Sequence, residues 1–308
     1  MAITVVQTAV INHKGLVRGN NEDNFYLDGA FIPRNSVDEG ASISGSCRNP
    51  YQLYAVCDGM GGADSGEEAS YCAVKELAKM KPEYPALTDE TTLSTFLRKV
   101  SEKVYDEAAA RGQHSGSTIA MVLIDGDRIH VSNVGDSRVY RFENDTLTQV
   151  SVDHSKVQRL ISMGIMTPEQ ARTDPERHKI NQYLGMPKDV KISPHFDSTR
   201  RLKKGDIYLL CSDGLTDMVE DSQIKMILKS GKDVEDMAGK LVRAALKNGG
   251  RDNVTVMVLK VVQVSDKAEV SENRSGNMLR SVLTGAQAVV GIGLLLTIMD
   301  MIYYLAHI

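Results

Sequence analysis

The feature of the sequence that most constrains the fold is a succession of short strands with no helix between them. Runs rich in β-branched residues follow one another at Ile119 to Ile124, Ile129 to Val134 and Val139 to Phe142, and Asp125-Gly126-Asp127 forms a hairpin turn between the first two. A simple β-α-β alternation would place a helix after each strand. The succession therefore predicts a sheet that is mainly antiparallel.

Helical periodicity is confined to separate blocks. Apolar residues recur at helical spacing from Ser65 to Met80, a second helix is predicted over Glu90 to Arg111, and a third stripe runs from Val234 to Ala245. Further strands are predicted before and between these blocks, at Ile3 to Ile11, Asn24 to Asp28, Tyr51 to Cys57, Ile207 to Cys211 and Val254 to Val262. The pattern predicts an α+β domain over residues 1–262, in which a double sheet is flanked by helices.

Charge and cysteine usage exclude some classes of function. The formal net charge of the 308 residues is −4 and no long basic run is present, which argues against nucleic-acid binding and against a nuclease acting on a polyanion. The four cysteines show no close pairing, which favours a reducing compartment.

The C-terminal part of the chain differs from the rest. Residues 281–299 carry no charge and would reach roughly 28 Å as a helix, so a single membrane span is predicted over 281–305. Residues 263–280 are predicted to form a polar linker. Its Lys267, Arg274 and Arg280 predict that the N-terminal domain lies in the cytoplasm, by the positive-inside rule. The alternative is a C-terminal helix packed on the domain or on a partner.

Several aspartates stand beside glycine at the ends of predicted strands. Asp58 ends one strand and is followed by Gly59, whose carbonyl could reach an ion, and Asp213 ends another and is followed by Gly214. Hard cations such as Mg²⁺ and Mn²⁺ prefer such oxygen ligands. Arg18 adds a planar guanidinium that matches phosphate oxygens bidentately. This combination indicates a site for divalent cations and a phosphate.

The motifs that contain these residues resemble, in order and spacing, those of the metal-dependent serine/threonine protein phosphatases of type 2C, in particular the bacterial branch. They span about residues 5–262 and read Arg18-x-x-x-Glu22-Asp23, Asp58-Gly-Met-Gly-Gly62, Ser115-Gly-Ser-Thr118, Val134-Gly-Asp-Ser-Arg138, Asp153-His154-Ser155, Cys211-Ser-Asp-Gly-Leu215 and Gly250-Arg-Asp-Asn-Val254. The resemblance implies a four-layer α-β-β-α sandwich with the metal centre at one end of the two sheets.

The resemblance also implies a role for each site residue. Asp58 would bridge two Mn²⁺ or Mg²⁺ ions, Asp213 and Asp252 would complete one site, and Glu22 with the Gly59 carbonyl the other. The remaining assignments make Arg18 the phosphate-binding residue, Asp153 a ligand of a third and looser ion together with Asp213, Asp23 a supporting residue behind the ligands, and Asp136 structural or supporting.

Two departures from the family pattern concern catalysis and substrate choice. Met60 occupies the position where eukaryotic relatives carry a histidine, so the proton donor to the leaving group is not identified. Residues 155–191 match the mobile flap beside the active site, but Asn181-Gln182-Tyr183-Leu184-Gly185 stands where threonine-arginine-alanine is more typical.

The function implied by the resemblance is hydrolysis of phosphoserine and phosphothreonine in proteins, by attack of a metal-bridging water or hydroxide. Such an enzyme would counteract a cognate serine/threonine kinase, here from the inner face of a membrane. The alternative is a catalytically weak member of the same fold that serves as a membrane-held binding or signalling module.

Overall fold

The computed structural model of the chain describes residues 2–34, 40–61, 65–265 and 280–281. Its strands are β1 (Ile3–His13), β2 (Asp23–Leu27), β3 (Ala41–Cys47), β4 (Tyr51–Gly61), β5 (Ser115–Ser117), β6 (Ile119–Asp125), β7 (Arg128–Val134), β8 (Arg138–Glu143), β9 (Thr146–Gln149), β10 (His195–Arg201), β11 (Ile207–Cys211), β12 (Val254–Ser265) and β13 (Arg280–Ser281). Its helices are α1 (Gly66–Lys79), α2 (Glu90–Ala109), α3 (Lys156–Ser162), α4 (Pro168–Thr173), α5 (Asp213–Thr216), α6 (Asp221–Ser230) and α7 (Val234–Lys247), with a 3₁₀ helix at Lys81–Thr88.

The strands form two antiparallel sheets. One has the order β13-β3-β1-β12-β11-β8-β9, and the other has the order β10-β7-β6-β4-β2, with β5 paired to the end of β4. The predicted hairpin is present, since β6 and β7 pair from Ile119↔Val134 to Asp125↔Arg128.

Three hydrophobic cores separate four layers. Side chains of β4 alternate between two of them: Leu53 and Ala55 face α1 and α2, whereas Tyr54 and Val56 face the opposite sheet. The third core lies under α7, where Leu241 packs with other buried residues against β11 and β12. The predicted α-β-β-α order of a double sheet flanked by helices is therefore confirmed.

Several strands differ from the prediction, since β3, β5, β9 and β10 were not predicted and β1, β4 and β12 extend past their predicted ends. β3 was not predicted, because its sequence Ala-Ser-Ile-Ser-Gly-Ser-Cys alternates serine with mostly small residues and contains only one β-branched residue. It forms by pairing with β1 near the edge of its sheet. β12 continues to Ser265, three residues past the predicted domain boundary, because its pairing with β1 extends to Ile3↔Ser265.

The C-terminal prediction falls almost entirely outside the described residues. Of the predicted linker and span, the structure describes 263–265 in β12 and Arg280–Ser281, which pair with Ser44 and Ile43 of β3. Within the described ranges, no helix combines the length and apolar character needed to cross a membrane. The proposed span over 281–305 stays a prediction.

Candidate metal centre

The predicted ligands come from strand ends that meet at one end of the sandwich. Antiparallel neighbours run in opposite directions, so the start of one strand lies beside the end of the next. Asp23 at the start of β2 is paired with Asp58 near the end of β4. Asp213 lies two residues after the end of β11, and Asp252 lies two residues before the start of β12. Two strands of each sheet thus deliver carboxylates to the same place.

A cavity of about 500 Å³ opens at this end of the sandwich. Its lining includes residues predicted to bind metal or phosphate, namely Arg18, Glu22, Asp58, Gly59, Asp213 and Asp252. The structure therefore brings together residues up to 234 positions apart in the sequence.

Backbone hydrogen bonds fix the position of Glu22 relative to the strands. The amide of Gly59 donates to the Glu22 carbonyl at 3.1 Å, and the amide of Glu22 donates to Oδ1 of Asn253 at 2.8 Å. The side-chain amide of Asn253 also donates to the carbonyls of Lys14 and Asn20, both at 2.9 Å. Asn253 thereby holds the loop that carries Arg18 and Glu22 against the start of β12.

Glycine at two positions allows the chain to pass close to Glu22. A Cβ atom on Gly59 would lie 2.0 Å from the carbonyl oxygen of Gly66 and 2.5 Å from that of Glu22. A Cβ atom on Gly66, the first residue of α1, would lie 2.6 Å from the carboxylate carbon of Glu22. The Gly59 carbonyl and the Glu22 carboxylate can share one site because these side chains are missing.

Asp23 is buried behind the cavity. Its Oδ2 accepts hydrogen bonds from Ser212 Oγ and Thr255 Oγ1, both at 2.7 Å, while its Oδ1 is buried and has no hydrogen-bond partner among the described residues. Burial raises the pKa of Asp23 to about 7, against the effect of these two hydrogen bonds. An unpartnered buried carboxylate oxygen is costly unless a cation or an ordered water lies nearby.

The carboxylates that line the cavity oppose one another's ionisation. Burial, followed by the charges of Asp23 and Asp213, raises the pKa of Asp58 well above its usual range. Burial, followed by the charge of Asp136, does the same for the pKa of Asp213. Burial and the nearby charge of Glu67 also raise the pKa of Glu22. Divalent cations would relieve this repulsion and allow all of these groups to ionise.

The residues fit hard divalent cations. The ligand set is made of carboxylate oxygens and the Gly59 carbonyl, with no thiol among them, which is the chemistry that Mg²⁺ and Mn²⁺ prefer. The closely spaced carboxylates of the cavity and the unpartnered Oδ1 of Asp23 also favour bound cations, because a cation would offset their negative charge. The structure thus supports a cation site at the predicted position.

Arg18 contacts a predicted metal ligand directly. Its Nη2 lies 2.6 Å from Oδ2 of Asp252, and its side chain is 48% exposed. The guanidinium therefore stands at the mouth of the cavity with part of its donor set accessible to a phosphate. The contact with Asp252 forms because the loop that carries Arg18 packs beside residues 250–252, where the amide of Leu16 donates to the Gly250 carbonyl.

Asp136 lines the cavity and Asp153 does not, whereas the resemblance implied that Asp153 would be a ligand and Asp136 a supporting residue. Both oxygens of Asp153 accept hydrogen bonds from Arg138, at 2.7 to 3.1 Å, and Oδ1 also accepts one from Gln149 at 2.7 Å. Asp136 instead lines the cavity, where burial and the charge of Asp153 raise its pKa to about 7. The geometry favours Asp136 over Asp153 as an additional ligand beside Asp213, and the ion pair with Arg138 explains why Asp153 is held elsewhere.

His178 and Asp217 line the cavity but were not predicted as site residues from the sequence. Nδ1 of His178 lies 3.3 Å from a carboxylate oxygen of Asp217 and 4.0 Å from one of Asp213. Asp217 could have been found, because it follows Asp213 at a spacing of four residues and α5 begins at Asp213. No local signal marks His178, which belongs to the predicted flap and reaches the cavity through the fold.

The predicted flap lies against the rest of the domain at its two ends. At its start, the carbonyl of His154, the residue just before the flap, accepts a hydrogen bond from the amide of Asn181 at 2.8 Å. Near its end, Leu184 and Ser117 exchange backbone hydrogen bonds of 2.8 and 2.9 Å. The part between carries α3 and α4, and it brings Arg177, His178 and Ile180 to the cavity.

The chain is similar to known phosphatases. Residues 12–160 match the family Protein phosphatase 2C. The chain is 32% identical to the serine/threonine phosphatase stp of Listeria welshimeri over 244 residues, which are 76% of this chain and 94% of that protein. It is 34% identical to the serine/threonine protein phosphatase PstP of Mycobacterium tuberculosis over 262 residues, but it spans only 45% of the length of that relative.

A solved structure provides a further comparison. The catalytic domain of PstP in complex with two manganese ions is matched with a TM-score of 0.68 and 32% identity, over 84% of this chain and 100% of that one. The similarity therefore covers the four-layer domain and its cavity.

Proposed function

The chain belongs to the Protein phosphatase 2C family, and on this premise we propose that it is a metal-dependent hydrolase of phosphoserine and phosphothreonine in proteins. The observation that carries the proposal is the convergence of Glu22, Asp58, Asp213 and Asp252 on one cavity with Arg18 at its mouth. Hydrolysis of a phosphomonoester needs cations to offset its charge and an arginine to orient it. The carboxylates of this cavity are suitable ligands for the cations, and Arg18 is the arginine.

Glu22, Asp58, Asp213, Asp252 and the carbonyl of Gly59 would hold the cations. Two divalent ions, Mn²⁺ or Mg²⁺, would lower the pKa of a coordinated water and offset the charge of the phosphate when bound there. The rigid ends of β4 and β11 keep Asp58 and Asp213 in place, so little reorganisation would accompany binding.

Arg18 would orient the phosphate. Its Nη2 is engaged by Asp252, but the guanidinium has further N–H donors and is about half exposed. A phosphate at the cavity mouth could therefore accept hydrogen bonds from it without displacing Asp252. Asp23 would act indirectly, by fixing Ser212 beside Asp213 through its 2.7 Å hydrogen bond.

The alternative of a catalytically weak binding module is less well supported. Such a role is expected where ligand carboxylates have been lost, and here each predicted carboxylate of the two-ion site is present and lines the cavity. The raised pKa values of Asp58 and Asp213 also indicate a site arranged for cations rather than a neutral surface.

The proposal is tested with the full-length chain purified in detergent. A phosphothreonine peptide and Mn²⁺ are supplied, and phosphate release is measured for the wild type, for Asp213→Asn and for the matched control Asp189→Asn, whose exposed carboxylate lies outside the cavity. We expect activity in the wild type and the control and a loss of at least 100-fold in Asp213→Asn. Equal, slow rates in the three proteins would contradict the proposal.

We also propose, from the sequence alone, that residues 281–305 anchor the enzyme in a membrane with its catalytic domain on the cytoplasmic side, where it opposes a serine/threonine kinase. Membrane fractionation of the full chain and of a chain ending at residue 270 tests the anchor. Recovery of both in the soluble fraction would refute it. A kinase that co-purifies with Asp213→Asn, and whose phosphorylated form the wild type dephosphorylates, would support the partnership.

A further inference from the structure

A second cavity of about 540 Å³ lies directly beside the metal centre. Met60, Gly61 and Ile180 line both cavities, so the two are continuous. The walls of the second one, called here the side groove, come from the C-terminal end of α2, from β5 and from residues 183–187. The side groove therefore extends from the catalytic cavity toward the surface between α2 and the end of the flap.

The side groove differs in chemistry from the metal centre. Among its lining residues in the described part of the chain there is no aspartate, glutamate, lysine or arginine, whereas the metal centre is lined mainly by charged side chains. Its walls carry the apolar or aromatic side chains of Met60, Tyr105, Ala109, Ile180 and Tyr183, together with the polar side chains of Gln113, His114 and Ser115. The apolar part of the lining favours an apolar side chain over a charged one, because a charge would be desolvated there with no carboxylate, lysine or arginine in the lining to pair with it.

Short-range packing holds the walls of the side groove in place. A Cβ atom on Gly116 would lie 2.3 Å from Cδ2 of Tyr183, so the tyrosine ring packs directly on the backbone of β5. Next to it, Leu184 is fully buried and exchanges two backbone hydrogen bonds with Ser117. The amide of Gly185 donates to Ser101 Oγ of α2 at 3.0 Å. The side groove is therefore preformed.

The side groove begins at a defined distance from the reacting phosphate. Met60 lies two residues after Asp58 on β4, which corresponds to about 7 Å along a strand. An extended peptide advances roughly 3.3 to 3.6 Å per residue. A substrate with its phosphate near Asp58 would thus bring its second or third neighbouring residue to the side groove.

Given the proposed function, on which this inference rests, we propose that the side groove binds an apolar side chain of the phosphoprotein substrate, two or three residues from the phosphorylated one. It would thereby select among phosphorylation sites by sequence, while the metal centre recognises only the phosphate. A single aliphatic side chain in an apolar pocket changes kcat/KM by about 10- to 100-fold.

The test uses the full-length chain with Mn²⁺ and a set of phosphothreonine peptides. The peptides differ only in having leucine or aspartate at the second or third position on either side of the phosphothreonine. We expect a preference for leucine of about 10-fold in kcat/KM at one of these positions. p-Nitrophenyl phosphate, which has no side chain to place in the side groove, serves as the small substrate.

Two variants connect the preference to the side groove. Ala109→Arg puts a long charged side chain on its wall, and the neighbouring Ala110→Arg makes the same change on an exposed residue that does not line it. We expect Ala109→Arg to abolish the leucine preference and Ala110→Arg to keep it, with hydrolysis of p-nitrophenyl phosphate unchanged in both.

The outcomes separate this inference from the proposed function. If the wild type hydrolyses p-nitrophenyl phosphate but has the same kcat/KM for leucine and aspartate peptides, the side groove does not select an apolar side chain of the substrate and the inference is refuted. A leucine preference that survives Ala109→Arg would also refute it, because recognition would lie elsewhere. If the wild type hydrolyses neither the small substrate nor any peptide, the proposed function itself fails.

Discussion

Gly66→Ala is expected to stabilise α1 slightly while it disturbs the geometry of the metal centre. Gly66 is the first residue of α1 and has no positive φ, so alanine suits its backbone conformation. Alanine is favoured over glycine in helices by up to about 1 kcal/mol. At this terminal position we take about half of that, which corresponds to a rise in Tm of about 1–2 °C. Helix propensity alone thus predicts a slightly more stable protein.

The new methyl group would act on Glu22. Its position lies 2.6 Å from the Glu22 carboxylate carbon and 2.8 Å from each carboxylate oxygen. Carbon atoms in contact are normally about 3.5–4.0 Å apart, so the carboxylate must retreat by about 1 Å. It can do so because it ends a flexible side chain, and the fold is therefore retained. A metal site tolerates ligand displacements of only about 0.2 Å.

We expect the Mn²⁺ concentration for half-maximal activity to rise about 10- to 100-fold in Gly66→Ala, with Tm unchanged or slightly higher. The assays are a Mn²⁺ titration of phosphopeptide hydrolysis and a thermal melt of the metal-free protein. Gly239→Ala in α7 is the matched control, because its Cβ would meet only the end of the Arg243 side chain, at 3.0 Å.

Three results would count against this reasoning. An unchanged Mn²⁺ requirement in Gly66→Ala would mean that Glu22 is not a ligand or that its carboxylate need not move. A fall in Tm of more than about 5 °C would mean that the helix, rather than Glu22, absorbs the contact. A shifted Mn²⁺ requirement in Gly239→Ala would show that the effect is not specific to the metal centre.

Three further predictions concern the charged groups of the site. Burial raises the pKa of Asp23 to about 7 in the folded protein, so the unfolded chain loses this proton at a lower pH, and the stability of the metal-free protein falls as pH rises from about 4 to 7. Asp23→Asn should reduce this dependence of stability on pH, which urea melts in EDTA at pH 5 and pH 8 would measure. An equal change in stability between the two pH values in the wild type and the variant would contradict the reasoning. Arg18→Ala should raise KM for the phosphopeptide, because the proposed phosphate contact is lost. It should not weaken Mn²⁺ binding, because the guanidinium competes with cations for Asp252. A higher Kd for Mn²⁺ in isothermal titration of the variant would count against this. Asp153→Asn should lower the free energy of unfolding by about 3 kcal/mol, because it leaves the Arg138 guanidinium without its carboxylate partner. The activity of the folded fraction should keep its Mn²⁺ requirement, and an altered requirement in Mn²⁺ titrations would restore Asp153 as a ligand.

Local sequence patterns were sufficient for a double sheet flanked by helices and for Asp58 and Asp213 as candidate ligands, whereas the roles of Glu22 and Asp252 were implied by the resemblance to the family. The run that contains Leu53, Tyr54, Ala55 and Val56 is recognisable in the sequence as a short apolar strand, and in the structure these side chains alternate between two cores. Asp58 could be placed because it ends that strand before a glycine-rich turn. β3 could not be predicted, since its serine-rich sequence becomes a strand only through pairing with β1.

The sequence by itself determined a double sheet flanked by helices, and which strand ends carry acids, because both depend on residues close together in the chain; the α-β-β-α order was implied by the resemblance of its motifs to the family. The tertiary structure alone decided which acids share the cavity. Asp153 is withdrawn by an ion pair with Arg138, Asp136 takes a place in the lining, and His178 reaches Asp217 from the flap. These outcomes depend on distances of a few ångströms between separate elements, and hydrophobic periodicity carries no information about such distances.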